Sequence, residues 1–206
     1  PMRRPRHVLA LSGGGAYGAF SAGFVDGWTR SGTRPELDVV TGISTGSLLA
    51  PFVFLGPEYD ARLGQLYTTI QAQDVFDSVA TSTPLKRLIE SQITPELMTR
   101  IAAEHKKGRR LYVGTTNLDT RRLVVWDMGA IACRPCPEGC ELFRDVLLAS
   151  SAVPGMMPPV RFDIDVDGRP ATELHADGAI SAQLFVPSHV FAAAAARPGD
   201  PAPANL

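Results

Sequence analysis

The sequence predicts an α/β protein built on a largely parallel sheet. Short apolar, strand-like runs alternate with segments of helical period. Glycine-rich turns join strand to helix at residues 13–18 and 42–46. A chain of 206 residues, 45% hydrophobic and 20% charged, suffices for one cored domain and is marginal for two. That domain is expected over residues 7–190, with residues 1–6 and 197–206 as flexible or truncated ends.

Residues 7–12 read as a short apolar strand and 13–18 as a glycine-rich turn. Residues 19–30 read as a helix, with Phe20, Phe24 and Trp28 four residues apart on one face. A second strand is expected over 37–41, with a helix starting at Thr45. Pro51 inside that helix removes a hydrogen bond, at ~3 kcal/mol, so a kink is expected beyond its first turns. Residues 58–75 carry Leu63, Leu66 and Ile70 at helical spacing. Thr83-Pro84 and Thr94-Pro95 each read as an N-cap followed by proline at the first helical position. The second of these helices should end near Gly108. Strands follow over residues 110–116 and Arg122–Asp127. Residues 141–150 read as a helix burying Leu142, Val146 and Ala149. Asp167-Gly168, between strands over 160–166 and 171–174, signals a hairpin. Residues 190–196 read as an alanine-rich helix and 198–206 as loop.

Composition excludes several roles. A formal net charge of −1 gives no global field toward nucleic acid or an anionic surface. Aromatics are only 7%, and no basic stripe interleaves with them, so no nucleic-acid partner is expected. No apolar run reaches the ~18 residues of a membrane span. The first residues are basic, but no apolar stretch follows to make a signal peptide. The start at Pro1-Met2 is expected to follow an upstream truncation, which leaves localisation open between the cytoplasm and exported or cell-envelope compartments. Oligomeric state is unreadable.

Three cysteines, Cys133, Cys136 and Cys140, fall in one short loop. One disulfide with a spare thiol, or three free thiols, is the expectation. A zinc or iron–sulfur site would normally take a fourth ligand, which is not found locally.

Gly42-Ile43-Ser44-Thr45-Gly46 matches the Gly-x-Ser-x-Gly elbow. Such a serine sits on a strained strand-to-helix turn that lifts its hydroxyl clear of the sheet. The following helix points its partly positive N-terminus at it. An apolar strand before the motif and an apolar helix after it supply that context.

Gly13-Gly14-Gly15-Ala16-Tyr17-Gly18 has two readings. It satisfies the dinucleotide fingerprint Gly-x-Gly-x-x-Gly. There, however, the acidic residue should end the second strand, and Asp38 begins it. Alternatively the bare amides of three glycines form an oxyanion hole beside Ser44.

The serine needs a base. Among four histidines, His7 lies on the wrong side of its strand and His105 ends a charged helix, expected to be solvated. His189 could complete a triad in the order Ser…Asp…His, and His175 sits just before Asp177. Asp177-Gly178 places a carboxylate at a strand end, although the dipeptide alone reads equally well as a turn.

Together these segments resemble a patatin-like phospholipase. The resemblance rests on Gly13 to Gly18, on Gly42 to Gly46, on Ala149-Ser150-Ser151-Ala152-Val153-Pro154, and on Asp177-Gly178-Ala179. It implies a three-layer α/β/α fold with a mainly parallel central sheet, truncated here at the C-terminus. It implies a Ser–Asp pair without histidine: Ser44 as nucleophile, Asp177 as base, and the amides of Gly13, Gly14 and Gly15 as oxyanion hole. Gly18, Gly42, Gly46 and Gly178 would support these motifs. No cofactor and no metal are implied. The implied substrates are carboxylic esters of lipids or phospholipids, met in solution or at a membrane surface. Ser12 stands where the family often has an acidic residue, and Ala179 where it has a second glycine. Two other roles stay open on the residues: a non-catalytic module of the same fold that binds lipid or a partner, and a dinucleotide-binding oxidoreductase.

Overall fold

The computed structural model describes residues 7–69 and 83–188. Its strands are β1 (Val8–Leu11), β2 (Val39–Ile43), β3 (Arg110–Asn117), β4 (Arg122–Asp127), β5 (Val160–Val166) and β6 (Arg169–Asp177). Its helices are α1 (Gly18–Arg30), α2 (Thr45–Leu55), α3 (Asp60–Thr69), α4 (Thr83–Gln92), α5 (Pro95–Lys106), α6 (Met128–Ala132) and α7 (Glu138–Ser150).

One sheet runs in the order β1-β2-β3-β6-β5, with β4 also pairing β3. β1, β2 and β3 are parallel, each connection crossing over through helices. This is the α/β class expected from the alternating pattern. β6, β5 and β4 join antiparallel. The β6–β3 overlap is only three pairs long, Thr115 to Asp177 being the last. The end of β6 therefore stops beside the C-terminal half of β3 instead of running past it.

Both faces of the sheet are covered. Val40, Leu111 and Val113 face a core shared with Phe52, Phe54 and Phe143. Burying each such aromatic side chain contributes roughly 1.5–3 kcal/mol. Val39 and Tyr112 point to the opposite side, against Phe185 and Val186. Arg34 meets Asp60 at 2.8 Å and donates to the carbonyl of Val53 at 2.9 Å, tying the segment after α1 to α2 and α3.

Most elements follow their local signals. Thr94 caps α5, its hydroxyl accepting from the amide of Leu97 at 3.3 Å, and the helix stops just before Gly108, which has φ 97°. Asp167 and Gly168, with φ 53° and 77°, turn the β5–β6 hairpin. α2 continues through Pro51 to Leu55. It lies buried almost throughout, so tertiary packing compensates for the lost hydrogen bond. α7 begins at Glu138, earlier than expected, and Leu142 on it is only partly buried. α6 is not among the expected helices, although Asp127 caps it, its carboxylate accepting the Ala130 amide at 2.9 Å. The aromatic residues of α1 do share a face, but it is not the buried one at Phe20 and Phe24. Phe20 and Phe24 point outward, and Ala22 and Val25 face the core. Residues 70–75, 189–196 and 198–206 lie outside the described residues. Among the described residues, no helix is long and apolar enough to cross a membrane.

Candidate active site

Ser44 stands at the junction of β2 and α2 with φ 53° and ψ −127°. For a side chain larger than glycine this conformation costs of order 1–3 kcal/mol and must be held by its surroundings. Its N–H donates to Ser150 Oγ at 3.0 Å. Its carbonyl accepts from the Ser47 amide at 2.8 Å, from Ser47 Oγ at 2.6 Å and from Ser151 Oγ at 3.3 Å.

The motif glycines permit close packing around this turn. A Cβ on Gly46 would lie 2.4 Å from the carbonyl oxygen of Leu11, and one on Gly42 would lie 2.5 Å from that of Gly46. With bare backbone there, the tip of β1 rests directly on the first turn of α2. Gly178 does the same at the other tip, where a Cβ would lie 2.4 Å from the carbonyl oxygen of Gly114. Gly18 starts α1 in ordinary helical geometry and is buried.

Asp177 ends β6, and its side chain crosses toward Ser44. The Ser44 hydroxyl donates to Asp177 Oδ2 at 2.6 Å. The other carboxylate oxygen accepts from the Ala179 amide at 2.8 Å. The backbone of Asp177 is held on both sides: its N–H donates to the carbonyl of Ala152 at 2.9 Å, and its own carbonyl accepts from Thr116 Oγ1 at 2.9 Å. Burial pushes the carboxyl pKa up, and the hydrogen bonds from Ser44 and Ala179 only partly offset that, so it stays above the usual aspartate range.

The glycine-rich loop lies against this pair. A Cβ on Gly13 would be 3.2 Å from that of Ser44, and Thr45 Oγ1 donates to the Gly15 carbonyl at 2.9 Å. The amide of Gly13 donates to the carbonyl of Gln183 at 3.1 Å. That donor is engaged within the chain, so Gly13 supplies space beside the serine. Gly14 and Gly15 are both exposed. Gly15, with φ 54°, adopts a left-handed backbone that a side chain would strain.

The remaining candidates fall elsewhere. His175 is fully buried and bonds Thr115 Oγ1 at 2.8 Å and Glu173 Oε2 at 3.0 Å. His105 is only 19% exposed, not solvated as expected, and lies 3.6 Å from Asp127. His189 lies outside the described residues. Asp38 accepts the His7 amide at 2.9 Å at the start of β2, the opposite end from Ser44, so it does not face the glycine loop as a dinucleotide site requires. Cys136 and Cys140 form a disulfide and Cys133 is an exposed free thiol.

A family model described as patatin-like phospholipase matches residues 9–188. The chain belongs to the patatin-like phospholipase family. Among solved structures, VipD from Legionella pneumophila shares the fold, with a TM-score of 0.59 at 14% identity. The match covers 90% of this chain but 47% of VipD, so the chain spans less than half the length of that patatin-fold relative. Comparison with curated proteins finds no match. Within this patatin-family chain, Ser150, Ser151 and Ala152 are legible from sequence only as part of a resembling block. The structure places all three against Ser44 or Asp177. Nothing in their residue types alone signals that contact.

Proposed function

We propose that this chain is a serine acyl hydrolase that cleaves carboxylic esters of lipids, with Ser44 as nucleophile and Asp177 as base. The observation that carries the reading is the 2.6 Å hydrogen bond from the Ser44 hydroxyl to a buried carboxylate, at a strained elbow beside exposed glycine backbone. Ser44 Oγ attacks the ester carbonyl carbon and its proton passes to Asp177. The carbonyl oxygen becomes an oxyanion held by the amides of Gly14 and Gly15. Collapse breaks the bond to the leaving alkoxide, which takes the proton from Asp177. Water then attacks the acyl-enzyme, Asp177 accepting its proton and returning it to Ser44. No metal or cofactor enters these steps.

Exposed apolar side chains support a lipid surface as the place of reaction. Tyr17 in the glycine loop, Phe20 just after it, and Ile180 and Leu184 after Asp177 are each more than half exposed. Both segments flank Gly13 at the mouth of the site.

The test is turnover of a p-nitrophenyl ester together with labelling by a fluorophosphonate. Ser44→Ala and Asp177→Asn are each expected to lower turnover by at least ~10³-fold, and the label should map to the peptide containing Ser44. His189→Ala should keep most activity. A loss in His189→Ala equal to that in Ser44→Ala would replace this reading with a Ser–His–Asp triad.

A further inference from the structure

We infer that the turn ending α7 sets the distance between Ser44 and Asp177, and that Ser150 is a positioning residue for the reaction. The inference rests on the catalytic reading above. Ser44 follows β2 and Asp177 ends β6, and both strands pair with the same edge of β3, β2 up to Gly114 and β6 from Thr115 onward, without pairing with each other. No strand-to-strand ladder therefore joins the two residues directly. Residues 150–152 bridge them. Ser150 Oγ accepts the Ser44 amide at 3.0 Å, Ser151 Oγ donates to the Ser44 carbonyl at 3.3 Å, and the Ala152 carbonyl accepts the Asp177 amide at 2.9 Å. One rigid turn thus grips the backbone of both.

Ser150 is the key member because its hydroxyl is used in both directions. While accepting from Ser44 it donates to the carbonyl of Gly114 at 2.7 Å. Gly114 pairs with Ile43 in the β2–β3 ladder, and its carbonyl is the atom against which Gly178 packs. The hydroxyl therefore ties the nucleophile's backbone to β3, the strand with which both β2 and β6 pair. At positive φ the Ser44 amide needs an acceptor from outside the sheet. Ser150 is fully buried, so water cannot readily take its place.

Three variants of the full chain test this. Ser150→Ala removes the hydroxyl, and Ser150→Cys keeps nearly the same volume with a much weaker hydrogen-bonding group. Phe143→Leu, in the core on the same helix, is a control for lost stability alone. Fluorophosphonate labelling rates and steady-state kinetics are measured on the folded fraction of each. Ser150→Ala and Ser150→Cys should both lower kcat and the labelling rate by ~10- to 100-fold, with KM little changed, while Phe143→Leu keeps the wild-type rate. If Ser150→Ala does not fold, Ser150→Cys decides. A Ser150→Cys protein that labels at the wild-type rate would show that the residue only fills space and would overturn the inference, leaving the catalytic reading intact. A wild-type protein unlabelled at Ser44, with Ser44→Ala equally active, would remove both.

Discussion

At Asp177 two effects oppose each other. Burial destabilises the ionised carboxylate, and the Ser44 hydroxyl and Ala179 amide stabilise it, with burial ahead. In the proposed mechanism only the ionised form takes the serine proton, so the sign of the pH effect follows. Below its pKa the base is protonated and idle. Because that pKa lies above the usual aspartate range, the acidic limb of kcat/KM should fall at a higher pH than an ordinary aspartate would give. A pH–rate profile with a p-nitrophenyl ester checks this, and a limb at or below pH ~3.9 would contradict it. The same burial that weakens the charge also limits water around the carboxylate, which helps a group that is a poor base in bulk solvent.

At the scale of elements, close backbone contact and helical period behave differently. The elbow depends on a contact with no room for a methyl group: a Cβ at Gly46 meets the Leu11 carbonyl, which is backbone and cannot rotate away. Gly46→Ala should destabilise by about 1–3 kcal/mol and slow labelling of Ser44. Gly23 is the contrast: it is exposed on α1, and a methyl group there would stand in open space. Gly23→Ala should stabilise by roughly 0.5–1 kcal/mol through helix entropy, as thermal melts of the pair would reveal. α1 also marks the limit of period. Phe20, Phe24 and Trp28 do share a face, with the rings of Phe24 and Trp28 6.0 Å apart. α2 and α3 nevertheless receive the face of Ala22 and Val25, where small residues allow the helix to approach closely.

Across the whole molecule, the near-neutral charge leaves little electrostatic attraction to a lipid surface, so the lipid contact proposed above rests on apolar side chains. The outward aromatic side chains of α1 lie on the chain just after the glycine loop. Phe20→Ser with Phe24→Ser should lower turnover of an ester embedded in neutral vesicles several-fold while leaving a soluble p-nitrophenyl ester unaffected. Equal turnover of the vesicle substrate by the double variant and the parent would place lipid contact elsewhere. An effect of this kind should also be insensitive to added salt, since apolar contact involves no ion pairs for salt to screen.

What residues within a few positions of one another decide was legible. The α/β class followed from alternating periods, and the strand–turn–helix around Ser44 from its glycines. The cap at Thr94, the stop at Gly108 and the hairpin at Asp167-Gly168 followed from turn chemistry. Even the position of Asp177 at a strand end was readable, because Asp-Gly punctuates a chain locally. What distant segments decide was not legible. Only the folded chain makes β6 antiparallel to β3 and halts it at Thr115, next to the Ile43–Gly114 pair, so that Asp177 meets Ser44 where the two strands end on β3. Only there does Gln183 engage the Gly13 amide and does Ser150 take that of Ser44. Backbone amides carry no residue type, and which acceptor each finds depends on packing between parts of the chain far apart in sequence.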